Sequence, residues 1–280
     1  MEAISQSSSA KNNPCIRCGM HKHINLTGTI VGINASQILN LHFLFETLGY
    51  FLGFRLFVYL RKRKSDPIPE GNRIWILIGA AAGGLLFSRL IGALEDPFVF
   101  FDPATPWLYY YTSKTVVGGL LGGLVGVELI KLVIGEKSSS GDLFAYPLMF
   151  AMAIGRIGCF SMGLKEPTFG EPSNLPWAID LGDGIPRHPL ALYEIGILIL
   201  MATVFLLLER RFSFKNGIRF QFFMIGYLIW RFAAEFIKPG IDYLGPFGTI
   251  QIVCILGLMY YGRTIFRMLF AQKKLLQNVD

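Results

Sequence analysis

From about residue 38 onward the chain alternates long apolar runs with short polar clusters. A helix that crosses a membrane needs about 20 mostly apolar residues. Seven stretches supply them: 38–60, 74–94, 115–135, 143–162, 189–208, 219–237 and 247–269. The pattern predicts an all-α integral membrane protein with seven transmembrane helices.

Composition agrees. At 52% hydrophobic and 16% charged residues, the chain is too apolar for an ordinary soluble domain. Residues 1–24 read as a polar, Ser- and Asn-rich head, 25–270 as the seven-helix transmembrane domain, and 271–280 as a tail. The first apolar stretch lacks a short core with a small-residue cleavage site, so segment 1 is expected to act as its own insertion signal.

Charge sets an orientation. Basic residues cluster after segments 1, 3, 5 and 7, at Arg61 to Lys64 and Arg73, at Lys131 and Lys137, at Arg210, Arg211, Lys215 and Arg219, and at Arg263, Arg267, Lys273 and Lys274. The positive-inside rule puts these ends in the cytoplasm. The N-terminus is then outside, the C-terminus is cytoplasmic, and the Pro- and Gly-rich stretch 163–187 forms a periplasmic loop cap. The net charge of +7 is accounted for by anchoring beside anionic lipid, and no nucleic-acid partner is expected.

Gly118, Gly122 and Gly126 lie four apart on one face of segment 3, beside Gly119 and Gly123. Two uses are open: close helix packing through small residues, or a smooth face for lipid. Paired discontinuous segments, which would point to a transporter, do not stand out.

Charges inside the spans carry the chemistry, because an arginine near the middle of a spanning helix costs about 2.5–3.5 kcal/mol on insertion scales. Arg89 lies six residues before Glu95, Arg156 six before Met162, and Arg231 seven before Lys238. A rise of ~1.5 Å per residue places all three ~9–11 Å below the outer ends of their helices. His42 and Glu46, one turn apart on segment 1, reach a comparable level, and His188 opens segment 5. Arg231 has Glu235 one turn away, and Glu128 has Lys131, whereas the helix of Arg156 offers no acid. Guanidinium groups at one depth match phosphate oxygens. The residues alone therefore point to an outward-facing membrane protein that binds a phospholipid phosphate.

"GGLLGGLVGV", "GRIGCF", "RHPLALYE" and "GYLIWRFAAEFIKPG" occur in the order and approximate spacing of prolipoprotein diacylglyceryl transferases, and the chain resembles that family over roughly residues 38–265. The resemblance implies a transferase of the bacterial inner membrane. It would move diacylglycerol from phosphatidylglycerol, or another anionic phospholipid, to the lipobox cysteine of a prolipoprotein or another thiol acceptor. It further implies that Arg156 and Arg231 hold the phosphate, that Glu235 orients Arg231, and that Gly155 and Gly158 admit the lipid. Arg89, Tyr193 and Glu194 match further positions of the site and are expected to bind the lipid phosphate with them.

Three positions depart from the family pattern: Leu121 stands where a histidine is usual, Ala191 for a glutamine and Cys159 for an asparagine. The usual proton acceptor is the residue replaced by Leu121. His188 and His42 are the candidate bases, with a packed histidine bonded to Glu46 as the other reading of His42. Cys159, one turn from Arg156, is either a nucleophile or an inert buried thiol, and Cys254 is expected to pack. The alternative function is a phospholipid-binding protein that kept the phosphate clamp and lost the base. No cofactor is required. In the head, Cys15, Cys18, His21 and His23 leave zinc, a disulfide and free thiols open.

Overall fold

The structure is a computed structural model that describes residues 41–63, 66–165, 168–212, 214, 216–240 and 247–266, all within one compact unit. The head with Cys15, Cys18, His21 and His23, and the tail 271–280, lie outside the described residues.

The described chain is mainly helical: α1 (Leu41–Arg63), α2 (Glu70–Ala93), α3 (Pro97–Phe100), α4 (Trp107–Thr112), α5 (Val116–Ile134), α6 (Ala145–Met162), α7 (Leu190–Glu209), α8 (Ile218–Ala234) and α9 (Thr249–Tyr260). Five of these, α1, α2, α5, α6 and α7, are long and apolar enough to cross a membrane. The helices α8 and α9, of 17 and 12 residues, are shorter than the apolar segments that predict them. Pro239 and Gly240 follow α8 and cannot continue it, and a turn at Tyr261 beside Gly262 separates α9 from helical residues 262–266.

Two helix pairs organise the bundle, α2 with α5 and α1 with α6. Glycine sets both contacts. A Cβ on Gly83 would stand 2.2 Å from the Gly122 carbonyl oxygen, and one on Gly126 would stand 2.1 Å from that of Gly79. Gly118, Gly122 and Gly126 therefore face α2 at backbone contact, and the stripe serves helix packing. On the other pair, a Cβ on Gly49 would stand 2.7 Å from the Ala151 carbonyl oxygen.

The helix α7 packs on α6, and α9 on α8. The interior is built chiefly around α8, whose Phe223, Met224, Tyr227 and Leu228 are fully buried against Val117, Met149, Leu198 and Cys254. Cys254 packs as expected. Leu86, Val133 and Leu207 point outward and are well exposed, the arrangement of a bundle solvated by lipid tails.

Polar ties close the basic end. Arg73, predicted as a surface anchor, is buried, donates to Asp66 through two nitrogens and reaches the Ser140 carbonyl at 3.1 Å. Burial favours a protonated Asp66, but the Arg73 hydrogen bonds prevail and hold its carboxyl below the ordinary value. Asp142 accepts from Gly217 N at 2.6 Å and Phe220 N at 3.0 Å, capping α8 from another loop. Arg219 pairs with Glu209, which also accepts from the Tyr146 hydroxyl.

At the opposite end, the predicted loop cap contains two short strands, β1 (Ile179–Asp180) and β2 (Pro186–Arg187), antiparallel with Ile179 opposite Arg187. Asp180 Oδ1 accepts from the backbone nitrogens of Gly182, Asp183 and Gly184. Gly182 and Gly184 supply the positive φ, 111° and 78°, that the turn requires. Asp183 binds both terminal nitrogens of Arg187, at 2.6 and 2.7 Å, and the Arg187 guanidinium lies over the Phe169 ring.

Candidate active site

Arg156 on α6, Glu194 on α7 and Arg231 on α8 converge between their helices. Arg156 Nε lies 2.8 Å from Glu194 Oε1, and Arg231 Nη1 lies 3.9 Å from Glu194 Oε2. Tyr227, one turn before Arg231, donates its hydroxyl to Glu194 Oε1 at 2.8 Å. Arg231 Nη2 pairs with Glu235 Oε1 at 2.5 Å. Glu194 and Arg231 are buried, and the Arg156 side chain is 12% exposed.

This geometry revises the expectation of uncompensated cations. The partner of Arg156 comes from a different helix, so its own segment could not reveal it. Two guanidinium groups meet two carboxylates, and the cluster is formally neutral. Glu194 accepts from Arg156 and from Tyr227 and stands 3.9 Å from Arg231 as an ion pair, the position of a carboxylate that orients the cations. An acceptor-only carboxylate facing a phosphate oxygen repels it, so the direct phosphate contact expected of Glu194 is replaced by this bridging position. A guanidinium carries five N–H donors. With Nε of Arg156 engaged by Glu194 and its Nη1 turned to Cys159 Sγ at 3.6 Å, donors remain for an oxygen-rich ligand.

The other predicted residues divide. Gly155 has open space where a Cβ would stand, whereas Gly158 meets Phe45 Cβ at 2.9 Å and His42 Cα at 3.1 Å. The expected access of lipid at Gly158 is therefore corrected: α1 covers it. Arg89 does not join the cluster through any contact among the described residues and stands over the Tyr111 ring, 4.9 Å from its centroid.

His42 makes its predicted contact with Glu46, at 3.5 Å. Lys114 adds a contact that no local pattern announced, 2.6 Å from Glu46 Oε2 and 3.3 Å from His42 Nε2. His42 packs on the Gly158 face of α6. Two residues turn a helix by ~200°, so this face is nearly opposite the one that bears Arg156.

His188 lies at the entrance to α7, with Nδ1 3.2 Å from the Tyr193 hydroxyl, which also accepts from Trp177 Nε1 at 2.7 Å. The adjoining Pro189, Leu190 and Ala191 line a small apolar cavity with Cys159 and, from the cap, Phe169. Tyr193 therefore contacts the cap and His188. Cys159 is buried between Arg156 and this cavity. Sequence reasoning missed Tyr227, Lys114 and Trp177; of these, only Tyr227 carries a local signal, its spacing of four from Arg231.

A family model for prolipoprotein diacylglyceryl transferase matches residues 34–267. The chain belongs to the prolipoprotein diacylglyceryl transferase family. Relatives named phosphatidylglycerol-prolipoprotein diacylglyceryl transferase include that of Finegoldia magna, 30% identical over 222 residues, with 75% of this chain and 83% of the relative covered. The Bordetella parapertussis protein is 29% identical over 221 residues, covering 71% and 79%, and the Vibrio atlanticus protein is 26% identical over 251 residues, covering 81% and 86%. The matched span contains Arg156, Glu194, Arg231 and Glu235, so the buried cluster lies within the part of the chain that defines this family of transferases.

Proposed function

We propose that the protein transfers a diacylglyceryl group from phosphatidylglycerol to the thiol of a lipobox cysteine, with Arg156 and Arg231 holding the phosphate. The carrying observation is the buried Arg156–Glu194–Arg231 bridge between three helices. In the reaction the acceptor sulfur bonds to the glyceryl carbon, the carbon–oxygen bond to phosphate breaks, and glycerol phosphate leaves. The thiol proton passes to a base. Negative charge grows on the departing phosphate, and positioned guanidinium donors in a poorly solvated site stabilise it. Glu194, Tyr227 and Glu235 keep those donors oriented.

Of the two histidines, His188 has the better claim to the proton, because its segment borders the cavity beside Cys159 and Arg156. His42 faces the other side of α6, where it packs with Glu46 and Lys114. Seven crossings follow if α8 and α9 complete the five long spans, with the basic end in the cytoplasm and the cap on the outer face of the bacterial inner membrane. No cofactor is needed for this displacement.

Purified protein incubated with labelled phosphatidylglycerol and a lipobox peptide should release glycerol phosphate. Release no greater than from Arg156→Ala overturns the transferase reading. One observation favours the second reading, a lipid-binding protein without catalysis: Leu121 packs against Gly257 and brings no acid–base group to that place. Rescue of a transferase-deficient strain excludes it.

A further inference from the structure

The first turn of α9 holds a buried donor that the site described above does not use. Gln251 is 2% exposed, and its Oε1 accepts from Gly248 N at 2.9 Å. A backbone N–H can only donate, which fixes the carbonyl of the side-chain amide toward Gly248 and its nitrogen away. That nitrogen, Nε2, is buried and has no hydrogen-bond partner among the described residues. Leaving a buried donor unmade is costly, so the position is favourable only when something else accepts from it.

Its place follows from the packing of α9 on α8. A Cβ on Gly257 would meet Leu228 Cδ1 at 2.8 Å. Cys254, one turn closer to the start of α9, lies where the charges of both Arg231 and Glu235 act on it. The two helices therefore run antiparallel, and six residues back from Gly257, ~9 Å, Gln251 levels with Ala234 and Glu235. Gln251 and Cys254 share the buried face of α9. The buried face of α9 thus brings Gln251 to the level of the Arg231–Glu235 pair.

The chemistry of the neighbourhood selects the ligand. Arg156 pairs with Glu194 and Arg231 with Glu235; beside Glu235 Oε1, a buried acceptor that makes no hydrogen bond among the described residues, the spare groups are donors, the guanidinium N–H groups and the Gln251 amide. A ligand that only accepts, such as a phosphodiester, satisfies these donors together, whereas a Gln251 amide turned to Glu235 would leave the guanidinium donors unmet. We propose that Gln251 is a further headgroup-binding residue whose Nε2 donates to a phosphate oxygen of the lipid held by Arg231. The proposal rests on the phosphate-clamp reading and adds a neutral donor on a fourth helix.

The test is lipid retention by the purified full chain in native mass spectrometry, with phosphatidylglycerol and, as a probe without phosphate, diacylglycerol of the same acyl chains. Gln251→Glu keeps an oxygen for Gly248 N–H and so preserves the start of α9; Gln251→Met removes the donor without adding charge. Loss of a hydrogen bond to a charged group predicts that both variants retain phosphatidylglycerol about 10-fold less well, with diacylglycerol unchanged. Phosphatidylglycerol retention within twofold of wild type, or an equal loss of both lipids, overturns the role of Gln251. Should Gln251→Met fail to fold, Gln251→Glu decides alone. If the wild-type chain itself does not prefer phosphatidylglycerol to diacylglycerol, the clamp reading fails; if it does and Gln251→Glu behaves like it, only the present inference fails.

Discussion

Arg156 and Arg231 illustrate how a residue's cost and its role are linked. Each is expensive to bury, and each is tolerated because a carboxylate meets it, Glu235 within the same helix and Glu194 from another. The i,i+4 pair was legible from spacing. The Arg156 partner was not, because it depends on the packing of α6 against α7. Glu194→Gln leaves two guanidinium groups without their shared carboxylate, and breaking a buried ion pair costs about 3–5 kcal/mol. That variant should unfold at a clearly lower temperature in a detergent melt and lose at least 10-fold in transfer rate; a melt and a rate like those of wild type would refute the bridging role. Conversely, Gly155→Ala introduces a methyl into open space and should leave the melting temperature unchanged while raising KM if lipid approaches there.

At the scale of elements, the long spans were readable because bilayer thickness imposes length and apolarity on them. The glycine stripe of α5 was readable as a stripe, but its partner was not. Gly126→Ala puts a methyl 2.1 Å from the Gly79 carbonyl oxygen, and overpacking of about 1–3 kcal/mol should appear as a lowered melting temperature. The short elements escaped prediction because distant groups specify them. The Tyr109 hydroxyl donates to the Ala93 carbonyl and that of Tyr110 to Phe100, fixing α3 and α4 by contacts that no local periodicity encodes. In the cap hairpin, the Arg187 hydrogen bonds beside Asp183 hold its carboxyl below the ordinary 3.8. A depressed carboxylate stabilises the fold fully above its unfolded value, and the contribution is lost as pH falls through the folded one. Amide exchange in residues 179–187, corrected for its intrinsic pH dependence, should therefore be flat from pH 7 to about pH 5 and lose protection only below about pH 4; loss already at pH 6 contradicts the pairing.

For the molecule as a whole, basic clusters lie at one end of the bundle and the cap at the other, and the proposed orientation puts the cap on the outer face. With Cys15 and Cys18 replaced by Ser, an impermeant thiol reagent added to spheroplasts should label Asp183→Cys and spare Lys62→Cys; the reverse pattern inverts the assigned orientation. The family and the two arginines were visible in the sequence as motifs, whereas the charge balance of the site was not, since neutrality arises only when three helices are assembled. On the proposed reading, that neutrality makes donor geometry, more than net charge, the basis of ligand selection. The most direct measurement is a structure of the protein bound to phosphatidylglycerol. The phosphate should lie between Arg156 and Arg231, with guanidinium nitrogens about 2.7–2.9 Å from its oxygens; a phosphate seated elsewhere, such as against Lys114 or Arg89, would contradict the account.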